Sequence, residues 1–192
     1  MKIAQCQEAL AGAIPQCTIS PPPETPLGHT GASILLMVRS YESDGRRFYL
    51  LGDLVNALAS YWYAMGWLHF GIAYGLLTFG GKTIPCPFDG PVDPLPEDLQ
   101  DKLNEKTERY ARLLDTACSS VLCAPDVSTP GYAFAERVRC ISAVYAGFGN
   151  QERNKKRAEQ ALACYSYGHG WMDAGVVAGL FSITANRDIF TV

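Results

Sequence analysis

The feature that most constrains this sequence is an internal duplication, because the chain matches itself when it is shifted by 104 positions. The match runs without a gap over helix-like and loop-like segments, and its clearest part aligns Ala57–Tyr63 with Ala161–Tyr167 and Gly66-Trp67 with Gly170-Trp171. A fixed internal period indicates repeated structural units. Residues 1–88 and 105–192 are therefore interpreted as two copies of one module.

Each copy is predicted to contain three helices, which gives an all-α fold of two pseudo-symmetric three-helix modules packed as a six-helix bundle. The first helix is clearest in the second copy, where apolar residues recur at three- and four-residue steps from Leu103 to Val121. We expect the first module over residues 1–80, a Pro/Gly-rich linker over 81–97 and the second module over 98–192.

The second helix of each copy has a recognisable start. Thr25 and Thr129 each precede a proline, and threonine as N-cap with proline at the first helical position favours a helix beginning there. In the first copy Gly52-Asp53 predicts the end of this helix and an N-cap for the next. The second copy has Lys156-Arg157 instead, so its turn is predicted several residues earlier, near residues 147–150.

The third helices are predicted to form the central layer. Residues 54–79 contain no Asp, Glu, Lys or Arg, and a helix that is apolar all round lies either in the centre of a bundle or in a membrane. Its copy, residues 158–182, has Glu159, Gln160, His169 and Asp173 on one side and is predicted to be amphipathic, which favours the bundle.

Composition limits the classes of function. The formal net charge is −3 with 18% charged residues, so the chain as a whole lacks the basic character of nucleic-acid-binding proteins. Glu8 interrupts the N-terminal segment before an apolar run forms, so no secretory signal is predicted and a cytoplasmic location is expected. The seven cysteines are interpreted as reduced, mostly buried thiols.

The third helices also carry candidate site residues. His69 is the equivalent of Asp173, and if equivalent positions face one another across a pseudo-two-fold axis, His69 meets Asp173 and forms a small polar site. His169 and Asp173 share a helical face. We favour a structural polar contact over acid–base chemistry. Three potential ligands without a fourth predict no metal, and no cofactor is predicted.

A basic run covers residues 153–157, and at overlapping positions the first copy has an apolar segment, Phe48-Tyr49-Leu50-Leu51. The basic run has two interpretations, a contact with phosphate or an acidic partner and a solvated helix face, of which we favour the second. The apolar segment suggests either a partner or burial against the linker. Candidate partner-binding residues are Phe48, Tyr49, Leu51, Lys155 and Lys156.

The pattern Tyr63-Ala64-x-Gly66-Trp67-Leu68-x-x-Gly71, with Gly52-Asp53 upstream, resembles an archaeal family known as domain of unknown function 357. The second copy carries a similar signature around Gly170-Trp171-Met172-Asp173. The resemblance implies a three-helix bundle for each module and a cytosolic archaeal protein, and it implies no activity. The sequence departs from the family pattern at His69, where the family has aspartate, and in lacking the Gly-Asp turn in the second copy.

The leading functional hypothesis is a non-enzymatic interaction or scaffold protein, with another protein or a second copy of the chain as partner, because the repeated Tyr, Trp, Gly and Ala residues are packing residues. No arrangement of a nucleophile with a base emerges, so an enzyme is not favoured. A lower-ranked hypothesis is nucleic-acid binding through residues 153–157. The alternative is a small-molecule-binding or enzymatic bundle with a pocket between the modules, lined by Tyr63, Trp67, His69, Tyr167, His169, Trp171 and Asp173.

Overall fold

The computed structural model describes residues 3–84 and 90–191. These residues confirm the predicted all-α bundle, and the other regular structure among them consists of two small two-stranded sheets and short 3-10 helices. The first copy contains helices α1 (Ile3–Ala13), α2 (Pro26–Leu50) and α3 (Leu54–Ala73), and the second contains α4 (Gln100–Ser119), α5 (Pro130–Asn154) and α6 (Ala158–Val177).

The second helices begin where the sequence predicts. The Thr25 hydroxyl accepts a hydrogen bond from the Gly28 N–H at 3.0 Å, and the Thr129 hydroxyl accepts one from the Tyr132 N–H at 3.2 Å. The Asp53 carboxylate caps α3 by accepting from the Asn56 N–H. These side chains satisfy N–H groups that the first turn of a helix leaves without a partner.

The predicted earlier turn in the second copy is wrong, because α5 ends at the position equivalent to the end of α2. Gly52 and its equivalent Lys156 both adopt a left-handed backbone, with φ of 77° and 58°. The turn thus keeps its geometry without glycine, at the cost of placing a side chain in a conformation that L-residues disfavour.

Each copy also contains one short antiparallel strand pair that the sequence analysis did not predict. β1 (Cys17–Ile19) pairs with β2 (Leu77–Phe79), and β3 (Val121–Cys123) pairs with β4 (Phe181–Ile183) in the equivalent register. Each pair ties the segment after the first helix to the segment after the third helix. Three residues are too few for an alternating pattern to be visible in the sequence.

The helices α3 and α6 pack against each other at the centre of the bundle, and α6 is not amphipathic as predicted. Every residue from Ala161 to Val176 is buried, including His169 and Asp173. Glu159 and Gln160, near the start of α6, accept main-chain hydrogen bonds from residues 90–96. Glu159 and Gln160 are therefore matched by main-chain groups of the protein.

Residues 90–96 form an extended segment over the start of α6. The N–H of Val92 donates to Gln160 at 2.8 Å, and the N–H of Leu95 donates to Glu159 at 2.9 Å, while both aliphatic side chains are buried. Part of the predicted linker, residues 85–89, lies outside the described residues.

In the described ranges, no helix is long and apolar enough to cross a membrane.

Candidate functional site

The helices α3 and α6 cross at two equivalent glycines, Gly66 and Gly170. A Cβ atom on Gly66 would lie 2.5 Å from the carbonyl oxygen of Tyr167, and one on Gly170 would lie 2.5 Å from the carbonyl oxygen of Tyr63. The contact is therefore reciprocal, as a pseudo-two-fold axis through the crossing requires. Because only glycine allows backbones to approach so closely, these two residues set the distance between the modules.

The contacts around the crossing show that the two helices run in opposite directions. Tyr63, three residues before Gly66, contacts Asp173, three residues after Gly170. His69, three residues after Gly66, contacts Tyr167, three residues before Gly170. The predicted contact between His69 and Asp173 is therefore wrong, because only residues next to the axis face their own equivalents. The structure separates these candidate residues into two clusters.

The first cluster, which we call the Asp173 cluster, consists of Tyr63, His169, Asp173 and Thr191. The hydroxyl groups of Tyr63 and Thr191 both donate to Oδ2 of Asp173, the latter at 2.9 Å. The Asp173 side chain is almost completely buried, and its Oδ1 has no hydrogen-bond partner within residues 3–84 and 90–191. A buried carboxylate in this state retains an unsatisfied acceptor, which is costly in a protein interior.

The His169 ring is also buried without a normal hydrogen bond. Its Nε2 lies 3.6 Å from Asp173 Oδ2, which is longer than a hydrogen bond, and its Nδ1 has no partner of normal hydrogen-bond geometry among the described residues. Burial lowers the pKa of His169, and the charge of Asp173 and the main chain of Ile189 only partly oppose that effect. The imidazole is therefore neutral at physiological pH, and one ring nitrogen is available as a donor and the other as an acceptor.

Tyrosine hydroxyl groups near Asp173 also remain neutral. Burial, followed by the negative charge of Asp173, raises the pKa of Tyr63 well above its usual range. Burial likewise raises the pKa of Tyr41 and of Tyr110. These side chains act as hydrogen-bond donors and acceptors rather than as anions.

A cavity of about 160 Å³, which we call the tyrosine cavity, lies beside the Asp173 cluster. Its wall consists of His169 and of residues from α2, α3, α4 and the 187–191 segment. Because Thr191 is exposed, the cavity reaches the surface beside that segment. The lining residues are Tyr41, Ala59, Ser60, Tyr63, Tyr110, Leu113, His169, Ile189 and Thr191.

The second cluster surrounds His69. The His69 Nδ1 lies 2.8 Å from the Tyr167 hydroxyl, and the two rings pack edge to face. Both residues line a wider cavity of about 430 Å³ together with Trp171, Arg137 and mainly aliphatic side chains. Trp67, by contrast, is fully buried against Tyr63 and lines neither cavity.

The two clusters share the same pair of packed tyrosines but differ in the polar side chains beside that pair. Tyr41 and Tyr63 have ring centroids 4.4 Å apart, and so do their equivalents Tyr145 and Tyr167. The positions of Asp173 and His169, however, are held in the first copy by His69 and Met65. The same helix crossing is thus built once with a buried Asp–His pair and once without it.

Sequence reasoning identified Tyr63, His169 and Asp173 but missed Thr191, Tyr41 and Tyr110. Thr191 follows the last predicted helix, and nothing in its local pattern indicates that its hydroxyl reaches Asp173. A signal was available for Tyr41, because it recurs as Tyr145 in the second copy.

The candidate partner-binding residues of the first copy lie at the turn between α2 and α3. Leu50 and Leu51 are 79% and 72% exposed, whereas Phe48 and Tyr49 are half-buried and pack against the core. The equivalents of the two leucines are Asn154 and Lys155. The two ends of the pseudo-symmetric molecule therefore present different surfaces.

The basic run at residues 153–157 is paired with acidic side chains. Lys155 and Arg157 both bind Glu152, and Arg153 binds Glu108 on α4 at 3.0 Å. Pairing of this kind is typical of a solvated helix end and reduces the positive potential available to a phosphate backbone. Lys156, the residue with left-handed backbone, is exposed at the same turn.

In the part of the chain that the structure describes, no three His, Cys, Asp or Glu side chains come together in a group that could hold a metal ion. His169 and Asp173 are close, but the other residues around them are tyrosines and Thr191. The Asp173 cluster is therefore a site of hydrogen-bonding groups and aromatic rings.

Comparison with known families gives one result. The model of a family described as protein of unknown function (DUF357) matches residues 7–77 and again residues 109–181, which together make up more than half of the chain. The two matches coincide with the two copies of the module. No curated protein and no solved structure matches the chain.

Proposed function

The chain belongs to the DUF357 family as two tandem copies, so its role has to be argued from its own site, and we propose that it binds a small molecule in the tyrosine cavity. The observation that carries this proposal is the state of His169. The ring is 4% exposed and lines the cavity. Within the described residues neither nitrogen has a hydrogen bond of normal geometry, and the main chain of Ile189 makes only a weaker contact with the ring. Buried polar groups in proteins are normally paired, and an unpaired one beside a cavity favours an occupant that pairs with it.

The internal duplication supports a functional origin for this cluster. The first copy forms the same crossing and the same tyrosine pair with Met65 and His69 in place of His169 and Asp173. Folding of the module therefore does not require a buried carboxylate and imidazole at these positions. Burying them costs free energy, and function is a common reason for retaining such groups.

The size of the cavity limits the ligand. An apolar cavity of about 150 Å³ is known to hold one benzene molecule, whereas pockets for drug-sized ligands measure about 300–1,000 Å³. At about 160 Å³ the tyrosine cavity can enclose a ligand, or part of a ligand, of roughly benzene size. A longer ligand would extend past Thr191 to the surface. A nucleotide is too large to be enclosed.

We propose binding rather than a particular reaction. His169 is neutral and placed beside a carboxylate, which suits proton transfer, but a proton-transfer step first requires a substrate held within hydrogen-bond reach of the ring. Occupancy of the cavity is therefore the property to test first.

The test is small-molecule extraction. The protein is purified from its own host under mild conditions and denatured, and the released compounds are measured by liquid chromatography with mass spectrometry. A compound near one equivalent per chain is expected from the natural protein and from Tyr167→Phe, a matched control in the other module. His169→Met, which restores the first-copy residue, should lose it. Equal recovery from all three proteins, or recovery from none, would contradict the proposal.

A second candidate function is an interaction through the turn between α2 and α3. It is favoured by the adjacent exposed leucines Leu50 and Leu51, whose equivalents in the second copy are polar. Self-association through this turn predicts a concentration-dependent sedimentation coefficient that Leu50→Ser with Leu51→Ser removes. A coefficient independent of concentration in the natural protein would contradict it.

A further inference from the structure

The tyrosine cavity also indicates the charge of its ligand, and we infer that it takes a small organic cation of the alkylammonium class. This inference rests on the proposed function, because it assigns a chemical class to the same occupant. It follows from the charges around the cavity, from its aromatic wall and from its size.

The first argument is the charge balance. The groups that face the cluster are the phenols of Tyr41, Tyr63 and Tyr110, the imidazole of His169 and the Asp173 carboxylate, from helices α2, α3, α4 and α6. The phenols and the imidazole are neutral for the reasons given above. Asp173 is then the acidic group of the cluster itself. Charged side chains beyond it also act on its tyrosines, namely Asp44 on Tyr41 and Arg109 on Tyr110.

Asp173 lacks a permanent cation among the described residues. Its hydroxyl partners Tyr63 and Thr191 both bind Oδ2, and Oδ1 has no partner. No described lysine or arginine forms an ion pair with it. A buried anion without a counter-charge is unfavourable, and a cation in the adjacent cavity would supply that charge.

The second argument is the aromatic wall. Three tyrosine rings from three different helices line the cavity, and the face of an aromatic ring attracts a cation more strongly where water is excluded. One of these rings already has such a contact: Lys106 Nζ lies 5.2 Å from the centre of the Tyr110 ring, while also donating to Asn56. An alkylammonium ion suits such a wall because its charge is spread over several methyl groups.

The third argument comes from the other module. Neither cavity has a carboxylate among its described lining residues, but Asp173 lies directly behind the wall of the tyrosine cavity, in contact with Tyr63 and Thr191. The wall of the wider cavity instead contains His69 and Arg137. The equivalent of Asp173 is His69 itself, so the negative charge is specific to the second module. A preference for cations is therefore expected in the tyrosine cavity and not in the cavity of the other module.

The test uses three probes of one shape: choline, its neutral isostere 3,3-dimethylbutan-1-ol, and the anion 3,3-dimethylbutanoate. Binding to the full chain is measured by isothermal titration calorimetry at one pH and one salt concentration. Choline should bind at least about tenfold more tightly than the isostere, and the anion should bind most weakly. Asp173→Asn should abolish the preference for choline over the isostere, whereas Tyr167→Phe should leave it unchanged.

The comparison of the three probes on the natural protein does not depend on whether any variant folds. Choline binding no more tightly than its isostere would overturn the inference, and so would a preference that survives Asp173→Asn. The charge of the compound recovered by extraction shows whether only this inference fails or the proposed function fails as well. A neutral or anionic compound at one equivalent would refute the cation and keep the binding site, whereas ordered water as the only occupant would refute both.

Discussion

Tyr63 donates a hydrogen bond to Asp173 across the crossing of α3 and α6, whereas its equivalent, Tyr167, contacts the ring of His69. The same tyrosine position therefore supports a buried carboxylate in one half of the molecule and an imidazole in the other. This difference gives a matched pair of substitutions.

Replacing Tyr63 by phenylalanine is expected to destabilise the protein more than replacing Tyr167. A hydrogen bond to a charged group contributes about 1.5–3 kcal/mol and a neutral one about 1 kcal/mol. Tyr63→Phe should lower the free energy of unfolding by about 2 kcal/mol and Tyr167→Phe by about 1 kcal/mol, both measured by urea denaturation. A larger loss for Tyr167→Phe would contradict the assignment of charge.

The glycine crossing predicts that Gly66→Ala and Gly170→Ala are both strongly destabilising, by at least about 2 kcal/mol, because each Cβ would approach a carbonyl oxygen of the other helix at 2.5 Å. Gly147→Ala is the control, since Gly147 is exposed within α5 and a Cβ there would meet nothing within 4 Å. It should stabilise the protein by about 0.5–1 kcal/mol. Thermal and urea denaturation of the three variants measure both effects.

The turn before α6 predicts a stabilising substitution. Lys156 has a φ of 58°, and its equivalent, Gly52, has a φ of 77°. Lys156→Gly should raise the free energy of unfolding by about 1 kcal/mol, since glycine adopts this conformation without strain. Lys156→Ala keeps the strained backbone and should change little. If alanine stabilises as much as glycine, the effect is due to the lost charge.

The lowered pKa of His169 predicts acid sensitivity. A ring that is harder to protonate in the folded state makes the unfolded state bind more protons, so stability falls as the pH drops below about 6.5 towards the lowered pKa of the folded protein. The slope is at most about 1.4 kcal/mol per pH unit for one proton.

The measurement is the free energy of unfolding as a function of pH for the natural protein and for His169→Met. The variant should have a shallower slope between pH 6.5 and 5. His29→Gln, at an exposed position of α2, serves as the control and should keep the natural slope. Identical slopes for the natural protein and His169→Met would mean that His169 is not held neutral.

Much of the fold could be predicted from the sequence because the determinants are local. At the start of α2, α3 and α5, the N-cap side chain accepts a hydrogen bond from the N–H of the residue three positions later. Because the two copies align without a gap, a helix start predicted in one copy also predicts the helix start at the equivalent position of the other. Where a local rule was applied without the duplication, at Lys156-Arg157, the prediction failed, since the second copy keeps the turn geometry of the first.

The candidate site could be predicted only in part. His169 and Asp173 stand out as polar residues in an apolar helix, but the partner of Asp173 depends on the direction in which α3 and α6 cross. That direction depends on how the two modules pack against each other as a whole, which no local pattern encodes. The Thr191 contact is 18 residues distant along the chain and depends on how the segment after β4 returns to the bundle.

The central claim is that the tyrosine cavity holds a ligand that pairs with His169. The most direct measurement is a crystal structure, at about 1.5 Å resolution, of the protein purified from its own host. Continuous density of about benzene size, in contact with a ring nitrogen of His169 and close to Asp173 Oδ1, is the predicted result. Separate water peaks throughout the cavity, with both groups hydrogen-bonded to water, would contradict it.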